Sequence, residues 1–414
     1  MPQSKGLDSS FFSNNRQKLV AKFPKAPIII TANGLLQKTR DDDAFPFKQS
    51  ANFWYLTGLN EPDVILLIHK GLEYLILPKK DKHHEIFTGG FNIDEIKNTT
   101  GIHNILDSHE GWQLLSPLVK KSKQIGAITA GPEYVKIYNV YTNPATRRLN
   151  RRLKALNKNL ILIDLQPHIS SLRAIKTTSE IDMIQHCVDH TGKLLAEISR
   201  NFKNYKNEQE IEAEVIYYAA KNGFEQAFHP IIANGINACT LHYHANNAVI
   251  DHKLPTLLDI GLSKNGYCSD ITRVFRSLPT DSQKDIYQDV VKVAKFAVSL
   301  LKPGVMPAEY EKKVALFAGE ILIKRGLIKD LAPKSIYKYF RHRTSHYLGI
   351  DVHDVGDYSK PFEVGNVITV EPGIYIDEKN MGIRIEDDVL IVADGAKILS
   401  KNLSRDLDSI RIKS

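Results

Sequence analysis

The sequence is poor in cysteine: it has three, Cys187, Cys239 and Cys268, an odd number, far apart and without a Cys-x-x-Cys pair. That excludes a disulfide framework and a zinc finger, and it predicts free buried thiols in a reducing compartment. Long apolar runs are absent too; no stretch approaches the about 18 residues of a membrane helix, and the opening MPQSKGLDSSFFSNN has no apolar centre of the signal-peptide kind. The expectation is a cytoplasmic protein with no membrane partner. Nor is there a strong imbalance of charge, with 55 basic against 47 acidic residues and a net charge of +8. Positive charge concentrates in Arg147-Arg148-Leu149-Asn150-Arg151-Arg152-Leu153-Lys154. Its leucines recur four apart, which describes the solvated face of an amphipathic helix, and no nucleic-acid recognition motif accompanies it. No nucleic-acid partner is expected.

What is present is the composition of an ordinary globular protein, 43% hydrophobic and 25% charged over 414 residues, long enough for two or three domains. The first part alternates short apolar runs with helix-like stretches. Pro27–Ile30, Asp63–Ile68, Glu73–Leu77 and Leu160–Ile163 read as buried strands, and 14–23 and 110–122 as helices. This predicts an α/β domain over 1–168. From Thr177 the pattern changes, because Thr177 and Glu180 have the spacing of a capping box and open a long amphipathic segment. A second domain is expected over 169–414.

The second part repeats itself. Each half runs helix, helix, glycine stop, histidine, acid, acid, with offsets of roughly 103 residues from Gly223 to Gly326 and roughly 104 from His242 to His346. The offsets grow to roughly 112 from Asp259 to Glu371 and roughly 116 from Asp270 to Glu386, as loop insertions would produce. The reading is a pseudo-two-fold α+β domain with a site at its centre.

Thr256–Gly261 and Tyr267–Phe275 flank Lys264-Asn265-Gly266, a strong hairpin signal. With Asn265-Gly266 as the loop, Asp259 faces Thr272 and lies diagonal to Asp270; with Lys264-Asn265, the two aspartates are directly opposed. Either register puts both carboxylates on one face, with Cβ atoms about 5 to 8 Å apart. Glu371 follows Asn366–Val370, and Glu386 lies in Gly382-Ile383-Arg384-Ile385-Glu386, where alternation turns Arg384 and Glu386 to one side. Arg384 is thereby placed to orient a carboxylate. Four acids set among Leu, Ile and Val are costly to bury without compensation. Two divalent cations supply it: four carboxylates and a bridging hydroxide carry about five negative charges against four positive, and oxygen plus imidazole ligands suit Mn, Co, Fe or Zn. Histidines complete the set: His342, His346 and His353 within one short segment, and His242 beside His244.

These runs, LLDIG, CSDITR, SHYLGIDVHDVG, TVEPGIYI and GIRIEDD, resemble those of the pita-bread metallopeptidases, specifically the Xaa-Pro aminopeptidase (aminopeptidase P) group. The likeness extends to QSANFWYLTGLNEP at 49–62, which is similar to the creatinase-type domain that precedes the catalytic domain in such enzymes. The resemblance implies a pita-bread catalytic domain behind a creatinase-like α/β domain. It also implies hydrolysis of the N-terminal Xaa-Pro bond of peptides, and homodimers or homotetramers. For the site it implies that Asp259 binds one metal, His346 and Glu371 the other, and Asp270 and Glu386 both, with Mn2+ foremost and Co2+, Zn2+ or Fe2+ as alternatives. The bridging hydroxide would be the nucleophile and Glu371 the proton carrier. His242 and His353 would contact the scissile peptide and its oxyanion, and His342 and Arg384 would complete the substrate-binding set, His342 lining the proline pocket. Two positions depart from the pattern: Arg343 where glycine is common, and Phe87 where bacterial relatives often have tryptophan. Prolidase, which shares the five ligands but cleaves only dipeptides, and a non-catalytic binding protein of the same fold are the alternatives.

Overall fold

The computed structural model describes residues 7–405 apart from 25, 41–42, 130, 132–133, 138 and 276–279. The first six residues of the opening stretch read above lie outside the described residues. Two compact units divide between Leu172 and Arg173.

The first unit is built on one mixed sheet. Its strands are β1 (Ile28–Thr31), β2 (Ile65–His69), β3 (Leu72–Ile76), β4 (Asn104–Leu106), β5 (Gln124–Ala127) and β6 (Ile161–Asp164), in the order β4-β3-β2-β1-β5-β6. Here β1 runs antiparallel to β2 and parallel to β5, so the chain passes between strands through helices. Helix α1 (Ser9–Lys22) precedes β1, α2 (Ser108–Lys121) lies between β4 and β5, and α3 (Ala145–Leu156) lies between β5 and β6. Helix α1 begins earlier than its apolar pattern because the Asp8 side chain accepts the Phe11 N–H and caps it. In α3 the leucines four apart, Leu149 and Leu153, are buried against the sheet while the arginines remain outside, and Arg152 lies 3.3 Å over the Trp112 ring. Each such buried leucine contributes about 1.5–3 kcal/mol.

The second unit opens with α4 (Thr178–Asn201), whose capping box joins Thr177 and Glu180 as the spacing predicts. Helix α5 (Glu208–Asn222) follows, capped by Asn207 and ended at Gly223. Its Glu210 reaches back to the Lys206 N–H, one residue before the cap. Strands β7 (Ile231–Asn234), β8 (Thr256–Ile260) and β9 (Ile271–Phe275) form an antiparallel sheet with β8 central. The second half repeats two helices, α6 (Asp281–Leu300) and α7 (Pro307–Lys324), then strands β10 (Val367–Val370), β11 (Gly373–Ile376), β12 (Met381–Arg384) and β13 (Asp387–Val392). Strand β10 pairs with β13 and β11 with β12, all antiparallel. One apolar core joins the halves: Leu257 and Val274 pack in the same cluster as Tyr287, Val290, Ile368, Ile383 and Ile385. This is the pita-bread arrangement, behind a creatinase-type α/β domain.

The hairpin settles its own register. Lys264 pairs with Tyr267, so Asn265-Gly266 is the loop, and both residues have positive φ, 49° and 80°. That is the turn whose twist suits two strands and which asparagine and glycine accept without strain. Thr272 therefore stands opposite Asp259, with Asp270 on the diagonal.

Candidate metal centre and active site

Each acid comes from a strand or its immediate end. Asp259 lies in β8, Asp270 precedes β9, Glu371 follows β10, and Glu386 sits between β12 and β13. His346 reaches the same place from the segment before β10, held by reciprocal bonds: Thr369 N–H donates to the His346 carbonyl at 2.9 Å, and His346 N–H to the Thr369 hydroxyl at 3.1 Å.

Asp270, His346 and Glu386 offer ligand atoms that all lie within 4.8 Å of one another, the one such group of three or more among the described residues. His346 Nε2 is 3.4 Å from Asp270 Oδ2 and 3.5 Å from Glu371 Oε1. Its Nδ1 is 3.0 Å from the Tyr347 carbonyl, which fixes the N–H there and leaves Nε2 as the lone-pair atom facing the acids. Asp259 joins through Arg384, whose Nη2 donates to Asp259 Oδ2 at 2.5 Å. The same guanidinium donates through Nη1 to the Tyr375 hydroxyl at 2.9 Å and through Nε to Thr272 Oγ1 at 3.1 Å. Arg384 thus orients a carboxylate, as the alternation in its strand predicts.

The electrostatics are those of too much negative charge in too little water. Burial, with Glu386 and Asp259 beside it, pushes Asp270 well above the usual carboxylate range, and burial with Glu371 and Asp259 does the same to Glu386. Burial pushes Glu371 up to about 8, against the pull of Arg384. Burial also holds His346 and His342 down to about 3, so both imidazoles are neutral at pH 7 and available as lone-pair donors. Asp259 Oδ1 and Asp270 Oδ1 are buried with no hydrogen-bond partner. Two orphaned carboxyl oxygens, a neutral imidazole and two further carboxyl groups form a donor set suited to divalent cations.

The remaining histidines lie around this centre. The His353 ring stands 4.2 Å from that of His346, centroid to centroid, and burial lowers its pKa, with His242 adding to the effect. His242 is exposed on the segment that follows β7, its ring 6.2 Å from His244. His342 Nε2 is 2.7 Å from the Tyr375 hydroxyl, and its Nδ1 is 3.6 Å from Glu371 Oε2. Arg343 extends over the Tyr358 ring, 5.7 Å from its centroid; Phe87 is exposed on the short helix Lys82–Thr88 of the first unit.

Tyr375 and Thr272 belong to the centre, though the sequence offers neither as a site residue and marks Thr272 only as a hairpin partner of Asp259. Tyr375, its phenol pushed up to about 12 by burial, bonds both His342 and Arg384. Thr272 donates to Glu386 Oε2 at 2.6 Å. Their one signal is positional: each lies an even number of positions from an acid already singled out, Thr272 two after Asp270 and Tyr375 four after Glu371 in TVEPGIYI.

Comparison with known proteins agrees in both units. Residues 182–393 match the family model described as Metallopeptidase family M24, and residues 12–126 the one described as Aminopeptidase P, N-terminal domain. The chain is 30% identical to Xaa-Pro aminopeptidase 3 of Rattus norvegicus, over 98% of this chain and 86% of that one. It is 28% identical to Xaa-Pro aminopeptidase of Haemophilus influenzae, over 98% and 97% of the two chains. Among solved structures, Escherichia coli aminopeptidase P with the inhibitor Pro-Leu is similar at a TM-score of 0.84 and 27% identity, covering 97% of each chain.

Proposed function

The chain belongs to metallopeptidase family M24 and is a peptidase, and from that premise we propose that it is an Xaa-Pro aminopeptidase working with two divalent cations. The observation that carries this reading is the convergence of Asp270, His346 and Glu386 within 4.8 Å, with Glu371 3.5 Å from His346. Relatives carrying the Xaa-Pro aminopeptidase name along almost the whole chain support the substrate class.

In this reading Asp259 would hold one cation, His346 and Glu371 the other, and Asp270 and Glu386 both. Bound there, the pair would supply a hydroxide nucleophile near neutral pH and polarise the scissile carbonyl, with Mn2+ the first candidate and Co2+, Zn2+ and Fe2+ behind it. Glu371 carries the proton from nucleophile to leaving nitrogen; its carboxyl is steadied by the Thr369 hydroxyl at 3.3 Å and its N–H by the Thr344 carbonyl at 2.8 Å. His353 and His242 stand where the peptide enters and donate to the developing oxyanion. His342, backed by Tyr375, lines the place of the proline ring. An Xaa-Pro bond has no N–H, so this pocket accepts a ring and makes no demand for that donor.

Arg384 is a substrate-binding residue in the expectation drawn from the resemblance. With its three donor nitrogens directed at Asp259, Tyr375 and Thr272, the role we propose is to hold Asp259 and Tyr375 in place beneath the substrate.

Cys187, Cys239 and Cys268 are joined by no disulfide, which favours a reducing compartment such as the cytoplasm, and no helix among the described residues is long and apolar enough to cross a membrane. A dimer or tetramer is expected by analogy with similar enzymes, and sedimentation would test it.

The deciding experiment strips the protein with chelator, restores Mn2+, Co2+ or Zn2+, and follows cleavage of an Xaa-Pro-Xaa peptide beside its Xaa-Ala-Xaa counterpart. Cleavage of the first bond of the proline peptide alone is expected, and equal turnover of both defeats the proline assignment. Activity confined to dipeptides would make the enzyme a prolidase. No turnover with any metal, together with tight binding of another macromolecule, would favour the non-catalytic alternative.

A further inference from the structure

Two glutamates outside the metal centre occupy equivalent places in the two halves of the catalytic unit. Glu208 opens α5 and Glu311 lies on α7, and each precedes the glycine that follows its helix, Gly223 or Gly326, by the same number of positions. Neither is aimed at the metal centre as a ligand. Each turns into a loop that carries site histidines.

Glu208 is fully buried, and both its oxygens are saturated with donors from the end of β7 and the loop that follows it. Oε1 accepts the Asn234 N–H at 2.9 Å and the Asn237 side-chain amide at 3.1 Å; Oε2 accepts the Tyr243 hydroxyl at 2.8 Å and the Ala248 N–H at 2.9 Å. These donors bracket the segment that holds His242. Glu311, part-buried, does the same in the other half. Its Oε2 accepts the Thr344 N–H at 2.8 Å, and its Oε1 accepts the Ser345 N–H at 3.1 Å and the Ser345 hydroxyl at 3.0 Å. Thr344 and Ser345 stand between His342 and His346, and the Thr344 carbonyl in turn accepts the Glu371 N–H at 2.8 Å.

A loop lacks the ladder of backbone bonds that fixes a strand, so its buried N–H groups need other acceptors. A carboxylate that accepts several at once supplies charge-assisted bonds, about twice as strong as neutral ones, from a single rigid point on a helix. We propose that Glu208 and Glu311 are positioning residues paired by the internal repeat, each anchoring one loop of site histidines to a helix: His242 through Glu208, His342 and His346 through Glu311. The kinetic part of this inference rests on the peptidase reading; the structural part does not.

The test uses the full-length, Mn2+-loaded protein with Glu208→Gln, Glu311→Gln and, as a control on the exposed face of α7, Glu309→Gln. Glutamine keeps the shape but turns an amide N–H₂ toward donors. Glu208→Gln should lower kcat about 10- to 100-fold, the size of effect a misplacement of about 1 Å produces, while Mn2+ affinity by calorimetry stays within about twofold. Amide exchange should quicken across 235–248 and not across 342–346. Glu311→Gln should lower kcat and also weaken Mn2+ binding about 10-fold or more, because His346 and Glu371 move with its loop, and exchange should quicken across 342–346 alone. Glu309→Gln should leave all of these unchanged. Should a glutamine variant fail to fold, Tyr243→Phe and Ser345→Ala each remove one donor to the same carboxylate and should shift the same readouts in the same direction, about two- to fivefold. Exchange that quickens throughout the unit in either variant, or kcat and Mn2+ affinity unchanged while the loop loosens, overturns the proposal and leaves the glutamates as general stabilisers. If the wild-type protein cleaves no Xaa-Pro peptide, the peptidase reading fails by itself, and Mn2+ affinity and exchange still decide this inference.

Discussion

The Thr272 hydroxyl donates to Glu386 Oε2 at 2.6 Å, joining a strand of the first half of the catalytic unit to an acid of the second. The same oxygen of Thr272 accepts from Arg384 Nε, so one small side chain fixes a carboxylate and the guanidinium that steers Asp259. Thr272→Val keeps the shape and the β propensity but leaves two charged groups short of a partner. It should destabilise the protein by about 1–3 kcal/mol and reduce metal affinity by about 10-fold. Urea denaturation and metal titration would show this, and a variant indistinguishable from wild type in both would remove Thr272 from the centre.

Asp270 has Glu386, Asp259, Asp388 and Glu371 acting on it, all acids. Asp270→Asn removes a charge that two cations would share, so bound metal should fall below two per chain and turnover by more than about 100-fold. Elemental analysis beside the peptide assay measures both. Near-normal turnover would refute the bridging role.

Protonation of the metal-free centre gives stability a definite slope with pH. Glu371 has its pKa raised to about 8, and Asp270 and Glu386 are raised well above the usual range, so the folded state binds more protons here than the unfolded chain. Stability contributed by these groups is present at low pH and is lost as pH rises toward the folded pKa. His342 and His346, held down to about 3, act oppositely but only below their unfolded pKa of about 6.5. Between about pH 6.5 and 8 the carboxyls therefore decide the sign: chelator-stripped protein should lose melting temperature as pH rises, and Mn2+-loaded protein should not. Parallel melting curves for the two forms would contradict a buried cluster of carboxylates.

Gly261 sits between Asp259 and the hairpin turn, and a Cβ there would lie 2.2 Å from the Ser269 carbonyl. The neighbour is backbone and cannot rotate away. Gly261→Ala should cost about 1–3 kcal/mol as an overpacked site and, because Ser269 adjoins Asp270, should lower metal affinity as well. Calorimetric unfolding with metal titration tests the pair of effects, and a variant of normal stability would show that the hairpin can spread.

Much of this was legible along the chain. Thr177 with Glu180 determined the start of a helix, because a capping box is a contact between neighbours in sequence. Asn265-Gly266 determined a turn, since both residues accept positive φ. Alternation determined that Arg384 and Glu386 share a face. The hairpin register was open until the strands paired, as two loops were compatible with the residues and only one places Thr272 opposite Asp259.

What the tertiary structure alone decided is which residues from the two halves meet: Thr272 with Glu386, Arg384 with Asp259, Glu311 with the loop between His342 and His346. Propensity, periodicity and capping act over a few residues and mark each segment. Contacts between distant segments depend on how the two halves pack around their shared core, and no local pattern records that. For the same reason Glu208 and Glu311 read as ordinary helix acids until the loops they hold have closed over them.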